Sequence, residues 1–256
     1  MSPEERDDAL ASLEHVRERV LDHALLEPDD TVLDVGTGTG LLAVGALDRL
    51  GPDGSVIALD ISVDCLEELR ATCDDARMSY LVGDAEVLPL PDGSADVAMT
   101  RSVLIYVREK AEVARELYRV LRPGGRVSLF EPVNRRCTQL WEVVDFGDLS
   151  ERVAEDFYRR WPPDHPMQDF DPEDMERWFA EAGFHELVAE VDAPPQSVRP
   201  ESVLYGVGSP GSPRLVDAWS ASFTEDEVER LVAAVRGAGE TLTVYWPGLY
   251  LSGRKV

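Results

Sequence analysis

Hydrophobic positions follow two different spacings in the first half of the chain. Between residues 10 and 26 they recur every three or four positions, which predicts an amphipathic lead helix. Beyond it, short runs of almost entirely apolar residues alternate with segments of helical spacing. The runs predict buried strands at residues 31–35, 55–59, 78–82, 95–100 and 126–130, and the segments between them predict helices at 41–50, 62–73 and 110–121.

Strands that alternate with helices favour parallel pairing and right-handed crossovers. The strands lack polar alternation, which is typical of a sheet covered on both faces. We therefore expect an α/β, Rossmann-like fold with a mostly parallel sheet and helices on both sides.

The pattern changes after the fifth strand, where aromatic and charged residues predominate. Residues 134–170 predict a helical cap insertion. A long loop is expected at 193–213, which is rich in proline, glycine and serine. Further predicted elements are a helix from Asp171–Pro172 to 182, a strand at 186–191, a helix that begins with the capping box Thr224–Glu227 and ends near 236, and strand segments at 241–245 and 249–255.

These elements predict a single domain over residues 1–256. We divide it into a lead helix at 1–27, a core at 28–133, the probable cap at 134–170 and a C-terminal part at 171–256. The last part should complete the sheet and carry the inserted loop and helix.

Composition narrows the range of partners. The formal net charge is −25, and such a surface repels phosphate backbones, so we expect no nucleic-acid partner. The chain contains no run of eighteen apolar residues, so we expect no membrane span. Its first residues are polar and acidic and do not resemble a secretory signal, so we expect a cytoplasmic protein. The spacing of Cys65, Cys73 and Cys137 matches no zinc site, so no metal is expected.

A glycine turn, Gly36-Thr37-Gly38-Thr39-Gly40, follows the first strand directly. Its glycines permit a sharp turn and a close approach of a ligand, at the strand end where open parallel sheets bind ligands. A tight turn without a ligand is the alternative. The dinucleotide pattern G-x-G-x-x-G would need glycine where Leu41 stands, so a nicotinamide oxidoreductase is disfavoured.

Two further carboxylates follow neighbouring strands. Asp60 ends the second strand about twenty residues after the turn, a separation typical of an acid that binds ribose hydroxyls. Asp84 ends the third strand, where it is able to accept from an adenine amino group or to cap its own loop.

Together these motifs resemble the class I S-adenosylmethionine-dependent methyltransferases, in particular the broad group around the ubiquinone/menaquinone C-methyltransferases. The resemblance covers residues 32–131 and rests on Gly36 to Gly40, Asp60, Gly83-Asp84-Ala85, Leu88-Pro89, residues 94–97 and Leu121-Arg122-Pro123-Gly124-Gly125. It implies a seven-stranded sheet and S-adenosylmethionine as cofactor.

The resemblance also implies roles for individual residues. The cofactor's methionine part would lie among Asp34, Gly36, Thr37, Gly38 and Gly40, with Thr100 and Arg101 beside it. Asp60 would bind ribose, Ile61 would lie against adenine, and Asp84 and Ala85 would contact the adenine edge.

The chain departs from this group at two places. Many relatives carry a histidine pair or an asparagine after the fourth strand, whereas this chain has Arg101-Ser102-Val103-Leu104-Ile105-Tyr106. The stretch after Glu131 matches no relative that we assign. Both differences concern the methyl acceptor.

Methyl transfer needs proximity and orientation more than a fixed catalytic motif. Tyr106 is a candidate beside the transferred methyl or a helix-packing residue. Glu131 is a candidate base or orienting group, or a strand-end carboxylate in an ion pair. His165 is a candidate base in the cap, or a surface histidine. Cys65 and Cys73 are expected away from the mouth of the cleft.

We therefore expect a methyltransferase for a small organic molecule with an oxygen, nitrogen or carbon acceptor, acting as a monomer or homodimer. The alternative is a protein that binds S-adenosylmethionine without transferring methyl, such as a cyclase or a binding protein.

Overall fold

A computed structural model describes residues 3–206 and 213–256, with side chains from residue 10 onward in the first helix. The strands are β1 (Thr31–Val35), β2 (Ser55–Asp60), β3 (Met78–Val82), β4 (Ala95–Arg101), β5 (Leu121–Pro132), β6 (Phe184–Asp192), β7 (Pro195–Val198), β8 (Leu242–Tyr245) and β9 (Gly248–Lys255). The helices are α1 (Pro3–Ala24), α2 (Leu41–Arg49), α3 (Val63–Thr72), α4 (Lys110–Val120), α5 (Leu140–Val143), α6 (Ser150–Arg160), α7 (Pro172–Ala182), α8 (Pro200–Tyr205), α9 (Leu215–Ser220) and α10 (Glu225–Gly237).

Seven strands form one sheet in the order β3-β2-β1-β4-β5-β9-β6. The first five strands pair in parallel, and β9 runs antiparallel between β5 and β6. The predicted Rossmann-like, mostly parallel seven-stranded fold is confirmed.

The sheet is buried on both faces because successive residues of its central strands point to opposite sides. Val32 and Met99 pack in a core cluster with Leu21 of α1 and Ala46 of α2. Their neighbours on the other face, such as Leu33, are equally inaccessible to solvent. The run of apolar residues in each strand follows from this double coverage.

Two compact units divide the chain. The sheet unit contains residues 8–133, 170–192 and 248–256, and the bulk of the second unit is 134–169 with the described part of 193–247. In the second unit β7 pairs antiparallel with β8. Its core is built around the buried Trp219, Phe146 and Leu231.

Several predictions for the second half need correction. Residues 193–213 were expected to be a loop, but they include β7 and α8, and residues 207–212 lie outside the described part. Proline is compatible with both elements, since Pro200 occupies the first turn of α8 and Pro195 begins a strand. The segment predicted at 241–245 forms β8, which pairs with β7 and not with the main sheet.

Other predictions for this half hold. Thr224 and Glu227 form the predicted capping box at the start of α10. Residues 134–169 contain α5 and α6, while a cap role for this segment, and the division of the chain at 28, 134 and 171, stay predictions. None of the described helices combines the length and apolar character that a membrane crossing requires.

A buried ion pair joins the start of β1 to β5. The Arg126 guanidinium donates to the Asp30 carboxylate, and 10% and 7% of the two side chains are exposed. Asp30 also accepts from the backbone N–H of Glu27 at 2.7 Å. The pair ties the loop before β1 to the sheet at the edge where the parallel strands begin.

Asp30→Ala should lower the free energy of unfolding by about 3 kcal/mol, because the buried Arg126 guanidinium then keeps only its longer contact with the exposed Glu27 carboxylate, at 3.4 Å. Glu112→Ala is the matched control, since Glu112 pairs with Arg115 at a site where both side chains are half exposed. It should cost less than about 1 kcal/mol. Denaturant unfolding measures both, and equal losses would contradict a structural role for the buried pair.

Candidate functional site

The glycine turn between β1 and α2 takes a left-handed backbone at three positions. Gly36, Gly38 and Gly40 have φ values of +68°, +54° and +91°. A Cβ at Gly36 would lie 2.3 Å from Val103 Cγ2, and one at Gly40 would lie 2.3 Å from Leu69 Cδ1. A Cβ at Gly38 would meet nothing within 4 Å. Gly36 and Gly40 are therefore required by packing, whereas Gly38 faces open space.

Two carboxylates hold this turn. Asp34 is buried, and its Oδ2 accepts from Thr37 Oγ1 at 2.7 Å and from the Ala43 N–H at 3.0 Å. Asp60 accepts from the Gly38 N–H through Oδ2 and from the Ser62 N–H through Oδ1, each at 2.8 Å. Through Asp60, the end of β2 thus fixes the middle of the turn.

Burial raises the pKa of Asp34 to about 7 from its ordinary value of 3.8. The hydrogen bonds from Thr37 and Ala43 and the charge of Arg101 oppose the rise, but they are weaker than the desolvation. Near neutral pH this side chain is therefore poised between the carboxylic acid and the carboxylate.

A cavity of about 220 Å³ opens beside the turn. Its lining residues are Asp34, Gly36, Thr37, Gly38, Thr39, Leu41, Leu42, Cys65 and Arg101. Five of the predicted cofactor residues thus meet in one cavity: Asp34, Gly36, Thr37, Gly38 and Arg101. Thr39 belongs to the glycine turn predicted to surround the cofactor, whereas sequence reasoning missed Leu41, Leu42 and Cys65. The expectation that Cys65 lies away from the site is wrong, because the first turn of α3 brings it to the cavity wall.

Other predicted cofactor residues lie at neighbouring strand ends. Asp60 and Val82 are register partners at the ends of β2 and β3, which places the Asp84 loop next to Asp60. Asp84 Oδ1 accepts from the Glu86 N–H at 2.9 Å, so it caps its own loop while remaining exposed. Ile61 is 70% exposed and Ala85 is buried.

Two more predicted residues behave as turn and strand residues. Gly40 begins α2 and packs on Leu69, as described above. Thr100 lies at the end of β4, fully buried, and its hydroxyl has no hydrogen-bond partner among the described residues. Arg101, the next residue, reaches the cavity.

The three candidate catalytic residues occupy different surroundings. Tyr106 ends the short 3₁₀ turn Leu104–Tyr106 after β4 and is 55% exposed. Glu131 is fully buried at the end of β5 and accepts backbone N–H groups from residues 103–105. His165 belongs to the second unit, where its Nδ1 accepts from the Met167 N–H at 3.2 Å and its ring meets Trp161 edge to face. The ion pair considered for Glu131 is replaced by main-chain bonds, and the catalytic roles stay predictions.

Asp34→Asn should flatten the pH dependence of folding stability. The folded pKa of Asp34 is raised, so its contribution to stability is complete below about 3.8 and is lost as pH rises through about 7. Asparagine has no such titration, and its amide oxygen is able to keep both bonds that Oδ2 accepts. Unfolding free energies measured between pH 4 and 8 should therefore fall less steeply in the variant. A slope equal to that of the unchanged protein would contradict the raised pKa.

Comparison with known proteins identifies the family to which this geometry belongs. Residues 33–129 match the family model described as a methyltransferase domain. The ubiquinone/menaquinone biosynthesis C-methyltransferase UbiE of Xanthomonas campestris is 32% identical over 177 residues, which cover 63% of this chain and 68% of that protein. The arsenite methyltransferase of Halobacterium salinarum is 36% identical over 113 residues, which cover 43% of this chain but 29% of that longer relative.

Solved structures share the fold at low sequence identity. Phosphoethanolamine N-methyltransferase 2 of Haemonchus contortus, in complex with S-adenosyl-L-methionine, superposes with a TM-score of 0.57 at 18% identity, over 93% of this chain and 52% of that one. The [4+2]-cyclase SpnF gives a TM-score of 0.55 at 21% identity, over 94% and 80% of the two chains. These structures show the common architecture, and the sequence relatives show the family. The chain therefore belongs to the class I methyltransferases, enzymes that use S-adenosylmethionine as their cofactor.

Proposed function

We propose that this protein transfers the methyl group of S-adenosylmethionine to a small organic molecule, with the cofactor's methionine end in the cavity beside the glycine turn. One observation carries the proposal. The same cavity presents a buried carboxylate, Asp34, a guanidinium, Arg101, and a stretch of open main chain at Gly38.

The chemistry of these groups fits the cofactor. Its amino acid end carries an ammonium and a carboxylate, and the cavity offers a side chain of opposite charge for each, Asp34 and Arg101. No side chain at Gly38 fills the space that the cofactor needs. The carboxylate of Asp60 has lone pairs left for ribose hydroxyls after its two backbone bonds. Asp84, Ala85 and Ile61 stand at the adjoining strand ends, where adenine would lie.

The bound cofactor supplies an already activated methyl group on a sulfonium. The residues of this chain therefore act mainly by orientation, holding the methionine end in a fixed place. Tyr106, five residues after Arg101 of the cavity and half exposed, is the candidate for contact with an acceptor. A base is needed when the acceptor must lose a proton.

Two observations support a small acceptor. The net charge of −25 opposes binding of nucleic acids. The names of the two relatives and of the Haemonchus structure refer to ubiquinone/menaquinone biosynthesis, arsenite and phosphoethanolamine. None of these names refers to a macromolecular acceptor. The fold of SpnF keeps open a role without methyl transfer, because a cyclase shares this architecture.

The proposal is tested by incubating the protein with isotopically labelled S-adenosylmethionine and fractionated metabolite pools. We expect S-adenosylhomocysteine to form with at least one fraction, and the label to appear in a small product. Cofactor binding by calorimetry without turnover on any fraction, including protein and RNA fractions, would favour the non-transferring alternative. Label in macromolecules would contradict a small acceptor.

Gly38→Ala should weaken S-adenosylmethionine binding by at least about tenfold, since its methyl group would protrude into the cavity. Gly124→Ala is a matched control: Gly124 has a φ of +79°, no atom within 4 Å of its Cβ position, and lies near the start of β5, at the opposite edge of the sheet. Both variants should lose about 1–2 kcal/mol of stability from the left-handed backbone. Calorimetric titration should separate them, and equal affinities would place the cofactor elsewhere.

A further inference from the structure

The carboxylate of Glu131 holds a turn of the backbone that follows the neighbouring strand β4. Glu131 is the penultimate residue of β5, is inaccessible to solvent, and accepts three consecutive backbone N–H groups. Oε1 accepts from Val103 at 2.9 Å and from Leu104 at 3.0 Å, and Oε2 accepts from Ile105 at 3.1 Å. N–H groups at the start of a helical turn have no partner within the turn, so Glu131 satisfies donors that would otherwise be orphaned.

The segment that Glu131 holds is residues 102–106, here called the β4 turn. It begins at Ser102, a non-glycine residue with a left-handed φ of +53°, whose N–H donates to the Phe130 carbonyl at 2.8 Å. Such a backbone is strained and persists where surrounding contacts fix it. The Phe130 carbonyl and the Glu131 carboxylate of the neighbouring strand β5 accept hydrogen bonds from residues 102–105 and thereby fix this backbone.

The β4 turn in turn forms a wall for the glycine turn. Val103 lies so close to Gly36 that a Cβ there would come within 2.3 Å of its Cγ2. The residue before the β4 turn, Arg101, lines the cofactor cavity, as Gly36 does. Glu131 is thus connected to two sides of the cavity without lining it.

Burial makes the ionised form of the Glu131 side chain less favourable than it would be in water. Burial raises the pKa of Glu131 to about 7, and this rise is opposed first by the three backbone hydrogen bonds and then by the nearby charge of Lys110. Lys110 is itself buried, donates to the Val107 carbonyl at 2.8 Å and lies over the Phe170 ring. The three N–H groups are bound by two acceptor oxygens. A carboxylate has two such oxygens, whereas a side-chain amide has one oxygen and an NH₂ group that only donates.

We propose that Glu131 is a positioning residue, which holds the β4 turn against Gly36 and thereby fixes the cofactor cavity. The inference rests on the proposed function, because it takes this cavity as the site of S-adenosylmethionine. It gives Glu131 a role exerted through Val103 and Arg101, without contact with the reacting atoms.

Glu131→Gln tests the inference with little change of shape. The single amide oxygen is able to keep the bonds from Val103 and Leu104, while the NH₂ group faces the Ile105 N–H. We expect the Kd for S-adenosylmethionine to rise about tenfold and the Ile105 amide to lose its protection from hydrogen exchange. Val103→Ala, which leaves the three hydrogen bonds in place, should weaken binding in the same direction by a smaller factor.

Asp30→Asn is the control for general loss of stability. Asp30 is a buried carboxylate in the same unit, at the edge where the parallel strands begin, and it pairs with Arg126. It should lower the melting temperature and leave both the Kd and the protection of residues 103–105 unchanged. Glu131→Ala removes all three bonds and should exceed Glu131→Gln in its effect on binding.

The outcomes separate the two proposals. Unchanged binding in Glu131→Gln, Glu131→Ala and Val103→Ala overturns the positioning role while leaving the proposed function intact. Loss of affinity in Asp30→Asn that matches Glu131→Gln at equal loss of stability also overturns it. If the unchanged protein does not bind S-adenosylmethionine, the proposed function fails, and this inference fails with it.

Discussion

Backbone N–H groups at the carboxyl edge of the sheet need acceptors, and buried carboxylates provide them. Where the chain leaves a parallel strand, the next residues lose their strand partners but remain inside the protein. Asp34 accepts from Ala43, Asp60 from Gly38 and Ser62, and Glu131 from residues 103–105. Each acceptor stands at or near the end of one strand, and its donors belong to a turn or, for Ala43, to the first turn of α2. The turns that form the cavity depend on these bonds for their shape.

The use of buried carboxylates as acceptors for backbone N–H groups determines the electrostatics of the site as well as its geometry. Carboxylates that hold turns are negative charges kept away from water, which is why the pKa values of Asp34 and Glu131 both rise to about 7. These buried carboxylates give the edge a negative potential wherever they are ionised. A cofactor with a sulfonium and an ammonium is attracted by it, so the groups that stabilise the turn also favour S-adenosylmethionine.

The sequence was sufficient for features that depend on local pattern. Apolar runs predicted the strands, and the spacing of Gly36, Gly38 and Gly40 predicted the turn, because both follow from backbone sterics and burial. The hydrogen bonds of Glu131 could not be predicted from the sequence. Its partners lie 26–28 residues earlier and come close to it only through the pairing of β4 with β5. Cys65 could have been found from its place three residues after the cap Ser62, in a turn that faces the site. Pro195 and Pro200 favour a loop by composition, but they begin β7 and α8, because proline also fits the first residue of a strand and the first turn of a helix.

In the proposed placement of the cofactor, Asp34 also links cofactor binding to the protons of the surrounding solution. With a pKa of about 7, this side chain is protonated in an appreciable fraction of the molecules near neutral pH. A cation that binds beside it favours the carboxylate, so a proton leaves the protein as the cation arrives. Linkage then requires the reverse: acidification competes with the cofactor for the same carboxylate. With the cofactor in the proposed cavity, the carboxylate that stabilises the glycine turn would thereby make cofactor binding sensitive to pH.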